Sequence, residues 1–266
     1  MPDQPILLQR EGGIATLTLN RPASRNLLDM EMALALRASF DAVAIDPDVR
    51  AVVLQAAGKH FMVGGDVNWF HGLLDAEPTE RRRKLNRMID EVHGTIVRIR
   101  SMDKPVLAVV RGAAAGFGFS LMAACDLVVA DRTAFFTLAY SGLGASPDGG
   151  STYSLPRLLG PKRAMEMALL NERMDAVHAQ ELGLINRVVE AEALESVVAE
   201  LARRLAVGPT LAFARTKRLI NTSLEHSLAD QLQAEERGFL ESALTGDFAE
   251  GVRAFVEKRM PEFRGR

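Results

Sequence analysis

A single cysteine, Cys125, stands in the whole chain, so no internal disulfide can form, and neither a CxxC pair nor a Cys/His cluster offers a zinc site. The five histidines, at 60, 71, 93, 178 and 226, are scattered without metal-ligand spacing and read as surface or boundary residues, so no metal is expected. An excess of either charge is missing too. With 32 Lys and Arg against 34 Asp and Glu, there is no whole-protein field to draw in nucleic acid or an acidic membrane surface, and no nucleic-acid partner is expected. No stretch reaches the roughly 18 uninterrupted apolar residues of a membrane helix. The start, MPDQPILLQREGG, lacks the basic segment, apolar run and small-residue cleavage site of a secretory signal, so the expected location is cytoplasmic.

What is present is the material of a globular fold: 48% apolar and 25% charged residues over 266 positions can bury a substantial core. IATLTL, Ile14–Leu19, alternates apolar and polar residues and stops at Asn20-Arg21-Pro22, as a half-buried strand would. A helical stretch follows over about 29–45. AVVLQA, 51–56, and PVLAVV, 105–110, are short valine-rich runs that read as strands of a sheet covered on both faces. Between them Leu85, Met88, Ile89, Val92 and Ile96 repeat at helical spacing. Strands alternating with helices imply an α/β fold. Beyond about 160 the chain reads as helices with one strand in LINRVV, 184–189, and Gly208-Pro209 is the best punctuation. The division expected is a core over 1–207 and a helical region over 208–266. A tail of that size cannot bury a core of its own, so it packs on the core or on another copy.

Three segments could carry chemistry. In GKHFMVGGDVNWF, 58–70, Gly64 and Gly65 permit unusual backbone conformations and Asp66 can cap a following helix, leaving N–H groups near Val63 and Gly64 free for an anion. Taken alone this is a strand-to-helix turn. In RGAAAGFGFSLMAACDLVVA, 111–130, the small residues from Gly112 to Gly116 allow close backbone approach, and a helix over 117–124 presents free N–H groups at its start. Tight helix packing explains that segment equally well, and Cys125 reads as a small core residue within an apolar helix. In GASPDGGSTYSLP, 144–156, Asp148 has an N-cap signature and is also a candidate acid/base. The Arg81-Arg82-Arg83-Lys84 run reads as a solvated helix face.

Taken in order, LTLNRPASRN, VVLQAAGKHFMVGGDV, PVLAVVRGAAAGFGFSLMAACDLVVA, LGASPDGGSTYSLPRLLGPKRAMEMALL, ELGLINRVV and EGVRAFVEKRMPEF resemble the crotonase superfamily, the enoyl-CoA hydratase/isomerase family, over essentially the whole chain. The resemblance implies a spiral of ββα units, a helical C-terminal region that builds a homotrimer or a dimer of trimers, and an acyl-CoA substrate. Coenzyme A would be part of that substrate, with no separate cofactor. It implies an oxyanion hole from Val63 N–H and Phe117 N–H, shaped by Gly64, Gly65, Asp66 and Gly116. Arg25 would meet a CoA phosphate, and Phe255 and Lys258 would reach the nucleotide of a neighbouring subunit.

Typical hydratases of the family resemble one another in using two glutamates, and the matching positions here are Ser120 and Tyr140. Neither is a general base at neutral pH. Asp148 is then the carboxylate that the matched motifs supply, which suits double-bond isomerisation through a dienolate, as in the enoyl isomerases of the phenylacetate pathway that PDGGST resembles. The alternatives are an enoyl-CoA hydratase with atypical residues, a 4-chlorobenzoyl-CoA-dehalogenase-like hydrolase with Asp148 as nucleophile, and a non-catalytic member that binds acyl-CoA or RNA. Trp69, Phe70, Phe117, Phe119 and Tyr140 suggest an apolar or aromatic acyl pocket, or core.

Overall fold

The computed structural model describes residues 4–266. An antiparallel hairpin opens the chain, β1 (Ile6–Glu11) and β2 (Ile14–Leu19), turned by Gly12 and Gly13 at φ +56° and +80°. Two successive positive φ angles match the right-handed twist of a hairpin, which only a pair such as Gly-Gly adopts at no cost. β1 goes beyond the sequence reading: it is an edge strand with mostly exposed side chains, held by its ladder to β2.

Asp29 caps α1 (Met30–Ile45), its carboxylate accepting from Met32 N–H at 2.8 Å. β3 (Ala51–Ala56), the short α2 (Val67–His71), α3 (Pro78–Ser101) and β4 (Val106–Val110) follow. Twice the chain then runs a strand of a large sheet, a strand of a small sheet and a helix. The first unit ends with β4, β5 (Ala113–Ala115) and α4 (Phe117–Ala123), the second is β6 (Leu127–Asp131), β7 (Phe135–Thr137) and α5 (Ser151–Leu159). This is the expected spiral of ββα units. α6 (Pro161–Leu170), β8 (Met174–Asp175), α7 (Ala176–Glu181), β9 (Arg187–Val189) and α8 (Leu194–Ala206) complete the sheets, ordered β1-β2-β3-β4-β6-β9 and β5-β7-β8. From β2 to β9 the large sheet is parallel.

The valine-rich runs are continuous because both faces are covered. Val52, Leu54, Val106 and Ala108 face the main core with Leu36 and Phe40 of α1 and Ile96 and Ile99 of α3, while Val53, Leu107 and Val109 face Leu194, Val198 and Leu201 of α8. Within the basic run, Arg83 and Lys84 pair with Glu80 on the solvated side, but Arg81 turns back to donate to the carbonyls of Leu73, Leu74 and Ala76. Two expectations are corrected. Cys125 lies just past the end of α4 rather than inside a helix, and the strand read over 184–189 shrinks to Arg187–Val189, with Leu184 and Ile185 buried as core instead.

The C-terminal helices α9 (Thr210–Thr222), α10 (Leu228–Ala243) and α11 (Gly246–Glu257) bury little by themselves; α10 buries no residue. Charged donors tie the region to the core. Arg50 donates to Thr210 Oγ1 at 3.0 Å, to Phe263 O at 3.1 Å and to Gly208 O. Lys217 Nζ donates to Ile99 O at 2.6 Å, Lys104 O at 3.1 Å and Asp126 Oδ2 at 2.8 Å. Burial raises the Asp126 carboxyl above its ordinary pKa, and Lys217 opposes that rise.

At Gly118 α4 approaches a neighbouring main chain closely: a Cβ there would stand 2.3 Å from Met62 O. Gly118→Ala is expected to destabilise the protein by about 1–3 kcal/mol, read by chemical denaturation; an unchanged midpoint would show that α4 does not need this contact.

Candidate active site

The three sequence segments meet around the start of α4. Met62 forms a parallel bridge with Ala114, Met62 N–H donating to Ala113 O at 3.1 Å and Ala115 N–H to Met62 O at 2.9 Å. Beyond it, Leu28 N–H donates to Gly64 O at 2.8 Å and Asp66 N–H to Leu28 O at 2.9 Å, which pins 64–66 from the other side. Gly64 and Gly116 have φ of +94° and +55°, and a Cβ on Gly116 would lie 3.1 Å from Gly64 Cα. Positive φ and main-chain contact together explain why glycine stands at both positions. Among the described residues, Val63 N–H and Phe117 N–H donate no hydrogen bond within the chain. Phe117 is the first residue of α4, where a helix leaves its amides unpaired and carries partial positive charge.

Asp66 caps α2 as expected, accepting from Asn68 N–H at 2.8 Å and Trp69 N–H at 3.4 Å. The Trp69 and Phe70 rings meet edge to face at 5.3 Å, with Phe70 against Gly65. Phe119 is fully buried core, whereas the Phe117 ring lies under Gly149.

Asp148 is not the cap of α5. That position belongs to Gly150 in the left-handed region, and the helix has no side-chain cap. Gly149 and Gly150, at φ +66° and +80°, insert a turn that carries the Asp148 side chain away from the first amides of α5. Its Oδ1 instead accepts from Gly149 N–H at 2.5 Å and lies 2.5 Å from His93 Nε2, the two side chains being 32% and 51% exposed. The main-chain carbonyl of Asp148 accepts from Ser120 Oγ at 2.6 Å, Ser151 Oγ at 3.2 Å and Tyr140 OH at 3.3 Å. Ser120 and Tyr140 are thus brought to Asp148 as donors. Burial pushes the Tyr140 hydroxyl up to about 12, with the Asp148 charge adding to the rise, so it stays protonated at neutral pH.

His93 is the residue that the sequence reading missed. It sits on α3, 55 positions from Asp148 in sequence, so no local motif joins them. The available signal was its place on the flank of the apolar stripe, four residues after Ile89 and three before Ile96. Arg25 is exposed at a left-handed turn, φ +56°, with no ion pair among the described residues. Its neighbour Asn26 is fully buried and donates to Ala57 O at 3.1 Å and His60 O at 2.9 Å, which fixes this turn against the segment leading to Val63. Phe255, 85% exposed on α11, and Lys258, just past its end, share no hydrogen bond or ion pair with the Asp148 cluster within the described chain. Cys125 donates to Leu121 O at 3.4 Å, and burial raises its thiol well above the ordinary range, which suits packing and not nucleophilic attack.

The chain matches the family model for enoyl-CoA hydratase/isomerase over residues 9–266. It is similar to the 1,2-epoxyphenylacetyl-CoA isomerase of Escherichia coli strain K12, 37% identical over 262 residues that cover 98% of each protein. Similarity extends to the 2,3-dehydroadipyl-CoA hydratase of the same strain, 32% identical over 262 residues, 98% of this chain and 99% of that one. Among solved structures, an enoyl-CoA hydratase from Polaromonas sp. JS666 matches with a TM-score of 0.91 at 36% identity, over 97% of this chain and 99% of that one.

Removing the Asp66 cap by Asp66→Ala is expected to cost about 1 kcal/mol. It should also shift the emission of Trp69, the chain's single tryptophan, to longer wavelength. Parental fluorescence and stability together would mean that α2 is held by packing alone.

Proposed function

The chain belongs to the enoyl-CoA hydratase/isomerase family and has the crotonase fold, and from that premise we propose that it isomerises the double bond of an enoyl-CoA with Asp148 as its single acid/base. One observation carries this reading. The two side chains that stand where hydratases of the family have glutamates, Ser120 and Tyr140, are donors to the Asp148 carbonyl. Asp148 is left as the carboxylate of the cluster.

The chemistry follows from charge. The Asp148 carboxylate takes a proton from a carbon next to the acyl-CoA thioester or its conjugated position, and the electron pair moves toward the thioester oxygen as the double bond shifts. Val63 N–H and Phe117 N–H receive that oxygen; a preorganised donor of this kind lowers a barrier by about 3–4 kcal/mol. Asp148 then returns the proton to the other carbon, with no net change in composition. One carboxylate suffices because it takes up one proton and gives one back, and its exposed side lets that proton exchange with solvent between the two steps. The similarity to an isomerase supports the assignment.

Arg25 is assigned to a CoA phosphate, being exposed and unpaired among the described residues. Phe255 and Lys258 are assigned to the nucleotide of a neighbouring copy, since their own chain gives them no link to Asp148. The copies would assemble as trimers through faces such as α10, where Leu228, Leu232, Phe239 and Leu240 are exposed.

A second reading is favoured by the His93 contact. In it the Asp148 carboxylate adds to a ring carbon bearing chloride in an aromatic acyl-CoA, chloride leaves, and water activated by His93 hydrolyses the resulting ester. The tryptophan which that chemistry uses is Tyr140 here, and this ranks the reading second.

A panel of 2-enoyl-, 3-enoyl- and chlorobenzoyl-CoAs in deuterated water separates these reactions by mass spectrometry. Isomerisation gives deuterium uptake and a moved double bond with no addition of water; water addition would mean a hydratase, and chloride release the second reading. Asp148→Asn keeps an acceptor for Gly149 N–H but removes the base, and turnover is expected to fall by about 10²–10⁴-fold. Parental isomerisation by that variant would sink the assignment of Asp148.

A further inference from the structure

We propose that Ser120, with Tyr140 in support, is a positioning residue that sets the distance between the base and the amide receiving the thioester charge, acting through the main-chain carbonyl of Asp148. The inference rests on the reading of Asp148 as the base. Ser120 is 1% exposed, and its hydroxyl donates to that carbonyl at 2.6 Å, while Tyr140 OH and Ser151 Oγ converge on the same oxygen at 3.3 and 3.2 Å. A carbonyl oxygen has two lone pairs. Three hydroxyl donors therefore over-determine the position of this one atom, in a loop whose two glycines would otherwise leave it free to move.

The far end of the residue is held as well, since Oδ1 meets Gly149 N–H and His93 Nε2. Ser120 lies on α4 three residues after Phe117, so a single buried turn of helix carries both the unpaired Phe117 N–H and the donor that grips Asp148. That turn acts as a ruler. Space at the contact adds a constraint on residue 120, because a Cβ on Gly149 would lie 2.8 Å from Ser120 Cβ and 2.9 Å from Phe117 Cδ2. The loop sits directly on these two residues. A side chain longer than serine at 120 would meet the Asp148 carbonyl, which lies 2.6 Å from the Ser120 hydroxyl, and press on this loop.

The test is a double-mutant cycle read by deuterium exchange and isomerisation of a 3-enoyl-CoA. Ser120→Ala leaves room for the loop and removes the donor; kcat is expected to fall about 10–100-fold, the scale of a misplaced reacting group, with KM nearly unchanged. Tyr140→Phe, whose hydrogen bond is longer, should lose less, and it decides the matter by the same criteria if Ser120→Ala does not fold. In the Asp148→Asn background neither substitution should lower the residual rate further, because a residue acting through another adds nothing once that other is gone. Parental kcat in both single variants overturns the proposal. So does a loss that multiplies onto Asp148→Asn, which would place the hydroxyls on the substrate itself, and so does a rise in KM alone. Undiminished turnover by Asp148→Asn alone would instead strike down the reading of Asp148 and this inference with it, at a separate arm of the cycle.

Discussion

The crossing of two main chains at Gly64 and Gly116 is the constraint on which the rest of the site depends. Neither residue has a Cβ to hold the strands apart, and Gly118 permits the same closeness between α4 and Met62 O. The bridge between Met62 and Ala114 then fixes the register. Two amides, at Val63 and Phe117, come out of this crossing without partners among the described residues. An unpaired buried N–H is costly unless something polar fills the space. The fold therefore leaves two backbone donors without a partner, the pair that we propose receives the thioester charge, and backbone donors tolerate valine and phenylalanine side chains at those positions.

On that platform the loop carrying Asp148 is placed by hydroxyls. Ser120 and Tyr140 could each have been read as lost function, since neither removes a proton at neutral pH. Their geometry shows them as donors to the carbonyl of Asp148, the carboxylate that we propose as the base. Burial of Tyr140 reinforces this by keeping its hydroxyl protonated. His93 completes the surroundings of the carboxylate from α3, an element that shares no motif with the loop. One arrangement of hydrogen bonds thus separates this chain from a two-carboxylate site, within a family whose named relatives include both an isomerase and a hydratase.

The C-terminal helices show a different balance. They hold to the core by a few charged donors aimed at carbonyls, Arg50 and Lys217 above all, and leave α10 without a buried residue. The exposed apolar side chains there are what the proposed association between copies would cover, and a small helical appendage buries little to offset its own ordering entropy.

Periodicity and glycine placement in the sequence determined the α/β class, the strands around 51–56 and 105–110, the Asp66 cap and the two glycine-rich segments, because each depends on neighbours a few residues away. The motifs in their order determined the family. Local reading failed where a contact spans the chain. It placed Asp148 as a helix cap, because Asp-Gly-Gly-Ser looks like one, and only the positive φ of both glycines turned the carboxylate away. Nor could spacing join His93 to Asp148 or turn Ser120 and Tyr140 into donors for its carbonyl. Those pairings exist because α3, α4 and the loop before α5 pack against one another, and packing of distant elements leaves no period in the sequence to read.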